Sequence, residues 1–250
     1  MTDSSEIDVV ILCGGLGKRL RPVVFGQPKV LAKIGEKTFL DILIDNLLLY
    51  GFENIILSVG YLKEQIKSHF DHDYGKNYDY TITFSEEEEP LGTGGAVKKA
   101  KPLIRSKPFM VLNGDSIGKV DFRSFIDFHI EKEALLSIVL VRAKTAEDYG
   151  SVTMNDSQRI TDFNEKIAGG SGSENIINAG VYLMEKDIFS YMPKQNRFSL
   201  EYELFPKIIN NRCYGFLTES EFIDIGTPER YEKAIDLLKS DTFKYSQRSK

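Results

Sequence analysis

Apolar runs and helical stripes alternate through the first part of the chain. Residues 8–13 contain the unbroken run VVIL and predict a central strand, apolar on both faces as a parallel sheet requires. Phe39, Leu40, Leu43, Leu47 and Tyr50 recur at helical spacing and predict a helix over 38–50, with Thr38 as N-cap and Gly51 just past its end. The same reading gives strands at 54–59, 80–84, 109–112 and 135–141. Helices are predicted at 62–70, 94–103 and 121–133. After residue 149 the texture changes. Residues 151–154 and 159–163 flank the turn Asn155-Asp156 as a hairpin, AGGSGS (168–173) reads as a flexible loop, and 176–184 as a long strand. A helix over 200–210 follows the N-cap-like Phe198-Ser199. A strand at 222–225 precedes a last helix with Thr227 as N-cap and Pro228 at its first position.

This alternation predicts an α/β fold, a single Rossmann-like, doubly wound mixed sheet that is mostly parallel, with a small β-rich part after residue 149. Ligands on such sheets bind beyond the carboxyl ends of the strands. Two polar stretches lie there: the glycine loop after Cys13, and Asn113-Gly114-Asp115. The chain shows no internal repeat and no dividing linker.

Composition narrows the function classes. The 250 residues carry a net charge of −5, which argues against a nucleic-acid partner. No apolar stretch approaches the roughly 20 residues of a membrane span. The start, MTDSSEID, is polar and unlike a signal peptide, so the expected location is cytoplasmic. With two cysteines, Cys13 and Cys213, reduced thiols are expected rather than a disulfide.

The chemistry concentrates in VVILCGGLGKRLRPVVFGQPK, residues 9–29. Gly14, Gly15 and Gly17 let backbone N–H groups approach a phosphate, and Lys18, Arg19, Arg21 and Lys29 supply positive charge. A Walker loop would need Ser or Thr after its lysine, and a dinucleotide fingerprint would need glycine at Leu20; both are excluded. A solvated basic turn is the plain alternative. Asp115 and Asp224 each close an apolar strand, and two such carboxylates suit Mg²⁺, although each also fits a turn or cap. PLGTGGA (90–96) opens a helix near Gly94, with Thr93 as a possible cap. The acid run Glu86 to Glu89 reads as a solvated face, or as the source of one carboxylate that accepts from guanine N1–H and N2–H. His69, His72 and His129 lack metal-ligand spacing, and Asp71-His72-Asp73 reads as a solvated turn rather than a glycosyltransferase metal motif.

LCGGLGKRLRP followed by QPKVL resembles the signature of the sugar-1-phosphate nucleotidylyltransferases, GGxGTRLxP with PK a few residues on. Lys18 stands where that family usually has Thr. The resemblance runs from Ile7 to about Leu238. It implies the nucleotide-diphospho-sugar transferase fold as one domain over 1–240, with a nucleotide part at about 7–148, a sugar-phosphate part at about 149–226, a closing helix at 227–239 and a polar tail at 241–250. It implies catalysis by Arg19, Lys29, Asp115 and Asp224, with Mg²⁺ on the two aspartates. Leu12, Gly14, Gly15, Gly17, Lys18, Arg19, Gly92, Thr93 and Gly94 would contact the nucleotide. Gly150, Glu165, Lys166, Asn178 and Gly180 would contact the sugar phosphate. The implied partners are a nucleoside triphosphate, GTP foremost, and a sugar 1-phosphate.

ILCGGLG with EPLGTGGAV is most similar to the guanylyltransferases of D-glycero-α-D-manno-heptose 1-phosphate, which serve surface polysaccharides. Mannose-1-phosphate guanylyltransferases and the thymidylyl, uridylyl and cytidylyl relatives share the same loops. A nucleotide-sugar-dependent glycosyltransferase and a non-catalytic nucleotide-sugar sensor stay open, as does a homo-oligomer.

Overall fold

The computed structural model describes residues 3–71, 80–143, 150–164, 175–219 and 221–239. The chain enters through β1 (Asp8–Leu12), makes a small hairpin of β2 (Lys33–Ile34) and β3 (Lys37–Thr38), and then alternates: α1 (Phe39–Leu49), β4 (Asn54–Val59), α2 (Lys63–Asp71), β5 (Thr81–Glu86), α3 (Gly92–Ala100) and β6 (Phe109–Asn113). β7 (Ser116–Gly118), α4 (Phe122–Glu131) and β8 (Leu136–Ala143) follow. Then come β9 (Ser151–Met154), β10 (Ile160–Asn164) and β11 (Asn175–Met184). A π-helical turn at Leu200–Leu204 leads into α5 (Phe205–Ile208), β12 (Cys213–Thr218), β13 (Phe222–Asp224) and α6 (Pro228–Lys239).

Among the described residues the main sheet has nine strands, with β1 between β6 and β4 and parallel to both. β5 extends the parallel set beside β4. On the other side β11 runs antiparallel to β6 and β8, and β12 is parallel to β8. The mixed, mostly parallel sheet is thus a parallel half joined through β11 to an antiparallel one. Alternation in β1 divides the core. Val9 and Ile11 join the cluster under α1, α4 and α6, while Val10 faces the cluster built with α3 and α5.

Local signals set several boundaries. Thr38 and Asp41 form a reciprocal capping box at the start of α1, and Gly51 takes φ +84° just beyond its end. Asp121 caps α4, accepting from the amides of Arg123 and Ser124. The hairpin expected at 151–163 forms as β9 paired antiparallel to β10.

Three expectations are corrected. The helix expected from Gly94 begins at Gly92, and its cap position is Leu91 rather than Thr93, whose hydroxyl is used elsewhere. The helix expected over 200–210 opens with a π turn, the Phe205 amide reaching the Leu200 carbonyl ahead of Pro206, which has no N–H to continue a regular ladder. Strand β12 is absent from the periodicity reading because Gly215 weakens its pattern; that glycine lies where a Cβ would stand 2.4 Å from Leu140 Cδ1. The loop expected at 168–173, Asp73 with His72, and the tail at 241–250 lie outside the described residues. No described helix is long and apolar enough to cross a membrane.

Candidate active site

The carboxyl ends of β1 and β6 lie side by side, Leu12 in register with Asn113, and the Gly114 amide donates to the Leu12 carbonyl. A cavity of about 300 Å³ opens there. Leu12, Gly14 and Gly15 form its first wall, Lys29, Asn113 and Asp115 a second, and Glu87, Gly92 and Thr93 a third. Two loops expected at strand ends and one at a helix start therefore meet around one space. Asn113, which sequence reasoning treats only as part of a strand end, also faces that space.

The Lys29 ammonium forms an ion pair with Asp115 Oδ2. Burial works to raise the Asp115 pKa. The Lys29 charge, its hydrogen bond and the Ser116 hydroxyl outweigh that effect and hold the carboxyl below its ordinary value. Beside it, burial and the Asp115 charge push the Cys13 thiol up, out of the reactive range. Cys13 and Cys213 are both free and buried.

β13 pairs antiparallel with β7, setting Asp224 opposite Ser116, and the Ile225 amide donates to the Asp115 carbonyl at 2.9 Å. The two aspartates thus sit on adjacent backbones although more than a hundred residues separate them. Their carboxylates have different partners. Asp224 accepts from the Gly226 amide at 2.7 Å and from Arg230 Nη1 at 3.3 and 3.4 Å. Arg19 is close by: a Cβ on Gly226 would stand 3.5 Å from Arg19 Nη2 and 2.5 Å from Asp224 Oδ1. Among the described residues, the cavity wall takes in Asp115 and Lys29 but not Asp224 or Arg19. Arg230 is missed by sequence reasoning, where only its place two residues after Pro228 on a helix start marks it.

The glycines divide by what surrounds them. Among the described residues a Cβ on Gly15 would meet nothing within 4 Å, and its φ lies outside the left-handed region. Gly17 has φ +56° and packs on the Lys29 side chain. In the second loop the reason for glycine is packing. Cβ atoms on Gly92, Gly94 and Gly95 would stand 2.6 Å from the Phe198 carbonyl oxygen, 2.2 Å from the Phe198 ring and 2.1 Å from the Asn196 carbonyl oxygen. The amides of Gly94 and Gly95 both donate to the Phe198 carbonyl. Lys18 is exposed.

The acid run splits as its charges do. Glu86 pairs with Lys63 and Lys67, and Glu88 with Lys63, along the face of α2. Glu87 turns inward and is 6% exposed. Its carboxylate accepts from Ser58 Oγ at 3.2 Å and the Leu91 amide at 3.0 Å. Burial raises its pKa, partly offset by the Leu91 amide, the Ser58 hydroxyl and Lys99.

On the far side, the Asn178 amide donates to the Gly150 carbonyl, and Gly180, at φ +69°, sits so close to Asn113 that a Cβ would stand 2.5 Å from its Nδ2. Gly150, Asn178 and Gly180 are thus gathered beside a cavity residue. Glu165 and Lys166 lie outside the described residues.

A divalent cation is tested by this donor set. The carboxylates of Asp115, just before β7, and Asp224, at the end of β13, come from neighbouring backbones, and each, balanced by a basic side chain, is a hard oxygen donor of the kind a divalent ion takes. Among the described residues no group of three or more His, Cys, Asp and Glu could hold a metal. Mg²⁺ commonly takes one or two carboxylates and completes its shell with phosphate and water, so the residues fit that ion.

The profile of the family described as "Nucleotidyl transferase" matches residues 8–241. The chain is 41% identical over 229 residues to the D-glycero-alpha-D-manno-heptose 1-phosphate guanylyltransferase of Aneurinibacillus thermoaerophilus, covering 91% of this chain and 96% of that protein. It is 31% identical over 238 residues to the mannose-1-phosphate guanylyltransferase of Mycobacterium tuberculosis, covering 94% of this chain and 65% of that one. The crystal structure of HddC from Yersinia pseudotuberculosis complexed with GMP-PN superposes with a TM-score of 0.81 at 36% identity, over 93% of this chain and 100% of that one. With the loops that carried the resemblance now found around one cavity, and a family match spanning nearly every described residue, the chain belongs to the nucleotidyl transferase family.

Proposed function

We propose that this protein transfers a guanylyl group from GTP to a sugar 1-phosphate, D-glycero-α-D-manno-heptose 1-phosphate first, and releases pyrophosphate. The observation that carries the reading is Gly15. Nothing among the described residues requires glycine there, yet it opens onto the cavity beside Lys29 and Asp115. An approaching phosphate accounts for it.

In this reading a sugar phosphate oxygen attacks the α-phosphorus of GTP. The bond from that phosphorus to the bridging oxygen breaks, and pyrophosphate leaves with the electron pair. Catalysis is positioning and charge stabilisation. Lys29 holds the α-phosphate and Arg19 the leaving pyrophosphate; Lys166, Glu165 and Asn178 hold the sugar phosphate and its hydroxyls. Asp115 and Asp224 would hold Mg²⁺, which supplies positive charge to the phosphate oxygens when bound. Lys18, in place of Thr, adds a cation to the same loop.

Glu87 supports guanine. Its buried carboxylate reaches the cavity between the first glycine loop and α3, and only guanine among the common bases offers an adjacent N1–H and N2–H pair to a carboxylate. Pyrophosphate release is measured over a grid of GTP, ATP, UTP, CTP and dTTP against heptose, mannose and glucose 1-phosphates. Release with GTP and the heptose is expected; mannose 1-phosphate is the next arm. No release in any cell of the grid defeats the reading. Glu87→Gln is expected to lower kcat/KM for GTP about tenfold while leaving ATP unchanged.

A further inference from the structure

Glu201 is 7% exposed and lies on the π turn, more than a hundred residues from the second glycine loop. Its carboxylate takes three hydroxyl donors. Thr93 Oγ1 and Ser199 Oγ donate to Oε2 at 2.5 and 2.6 Å, and Tyr182 Oη donates to Oε1 at 3.1 Å. Tyr182 Oη in turn accepts from Asn178 Nδ2 at 2.8 Å, and Asn178 Oδ1 accepts from the Gly180 amide at 2.9 Å. Thr93 Oγ1 accepts from the Leu200 amide at 2.9 Å.

The directions of the bonds in this chain are set from its two ends, by a carboxylate that only accepts and a backbone N–H, that of Gly180, that only donates. A carboxylate only accepts, so Tyr182 must point its proton at Glu201 and can only accept from Asn178. That presents the NH₂ end of the Asn178 amide to Tyr182 and leaves Oδ1 for Gly180, whose left-handed turn places it against Asn113 in the cavity wall. We propose that Glu201 is a positioning residue for the sugar side of the site: through Tyr182 it holds the Asn178 amide in the one orientation that the Gly180 N–H also demands, so that Asn178 offers an N–H donor to a sugar oxygen. This rests on the reading of Asn178 as a sugar contact.

Glu201→Gln tests the polarity without changing the shape. The new amide nitrogen must face one set of donors. It faces Tyr182, whose single bond is longer than the Thr93 and Ser199 pair on the other oxygen. Tyr182 then has to accept from that introduced NH₂ group, and its own proton turns toward Asn178. The Asn178 amide then meets a donor at either end: unflipped, its NH₂ faces the Tyr182 proton, and flipped, it faces the Gly180 N–H. One neutral replacement thus disturbs Asn178 through two intervening bonds.

Initial rates of pyrophosphate release are measured for wild type, Glu201→Gln, Tyr182→Phe and the double variant, with GTP and D-glycero-α-D-manno-heptose 1-phosphate, and again with α-D-mannose 1-phosphate. Glu201→Gln is expected to raise KM for the sugar 1-phosphate about fivefold or more, with KM for GTP within twofold. Tyr182→Phe removes the same relay from its middle and is expected to do likewise, which keeps the test alive if Glu201→Gln folds poorly. The double variant is expected to be no worse than either single one, since members of one network are not additive. Equal rises in both KM values, or a fall in Tm with both KM values unchanged, assigns Glu201 a merely structural role and overturns the inference while leaving the functional reading intact. A wild-type protein that turns over neither sugar 1-phosphate overturns the reading and this inference with it.

Discussion

Gly15→Ala separates a glycine kept for a ligand from glycines kept for packing. The added methyl group meets no atom of the described residues within 4 Å, and the position does not need a left-handed φ. The folded state therefore accepts alanine. The unfolded chain loses freedom, which stabilises the protein by about 0.4–1 kcal/mol. In a domain of this size that moves Tm upward by about 1–4 °C. The nucleotide side responds in the opposite sense. A methyl group in the cavity holds a phosphate away from the backbone, and a hydrogen bond to a charged group contributes about 1.5–3 kcal/mol. Its loss raises KM for GTP by about 10- to 100-fold. Gly94→Ala is the contrasting variant. Its Cβ would stand 2.2 Å from the Phe198 ring in a buried contact, and overpacking of that kind costs about 1–3 kcal/mol. Thermal unfolding and pyrophosphate release are run on both. A Gly15→Ala protein with wild-type KM for GTP would refute the argument that this glycine exists for a phosphate.

Further outcomes follow from particular contacts. Gly180→Ala forces a left-handed φ of +69° on a residue with a side chain and drives a Cβ into Asn113, so urea denaturation should show a loss of about 1–2 kcal/mol or more. Asp115→Asn removes the partner of Lys29 and a carboxylate from the cavity wall; kcat is expected to fall about 10²-fold or more while far-ultraviolet circular dichroism is unchanged. Burial of Asp41 works to raise its pKa, but hydrogen bonds with His69 and with Thr38 outweigh it and bring the carboxyl to about 2 from an ordinary 3.8. A depressed carboxyl stabilises the fold above its unfolded pKa and loses that contribution as pH falls through the folded value. The wild-type advantage over Asp41→Asn should therefore shrink by about 2 kcal/mol between about pH 5 and pH 2, read by urea denaturation; a constant difference would count against the pairing.

The sequence by itself determined the parts whose cause is local. The run VVIL had to be buried on both faces, and β1 lies at the centre of the sheet for that reason. Thr38 with Asp41 had to start α1, because the capping box closes within four residues. The glycine loop had to follow a strand, and the rule that ligands gather at carboxyl ends brought Gly15 and Asp115 to the same cavity. Tertiary structure alone decided the rest. Periodicity states which face of an element is buried, not what covers it. That Phe198 and Asn196 close over Gly92, Gly94 and Gly95 depends on a contact across a hundred residues. The same holds for Arg230 on Asp224, for Glu87 turning inward while its neighbours pair with α2, and for the parallel pairing of β12 with β8. Buried polar groups must find partners, but folding topology chooses which partners come within reach.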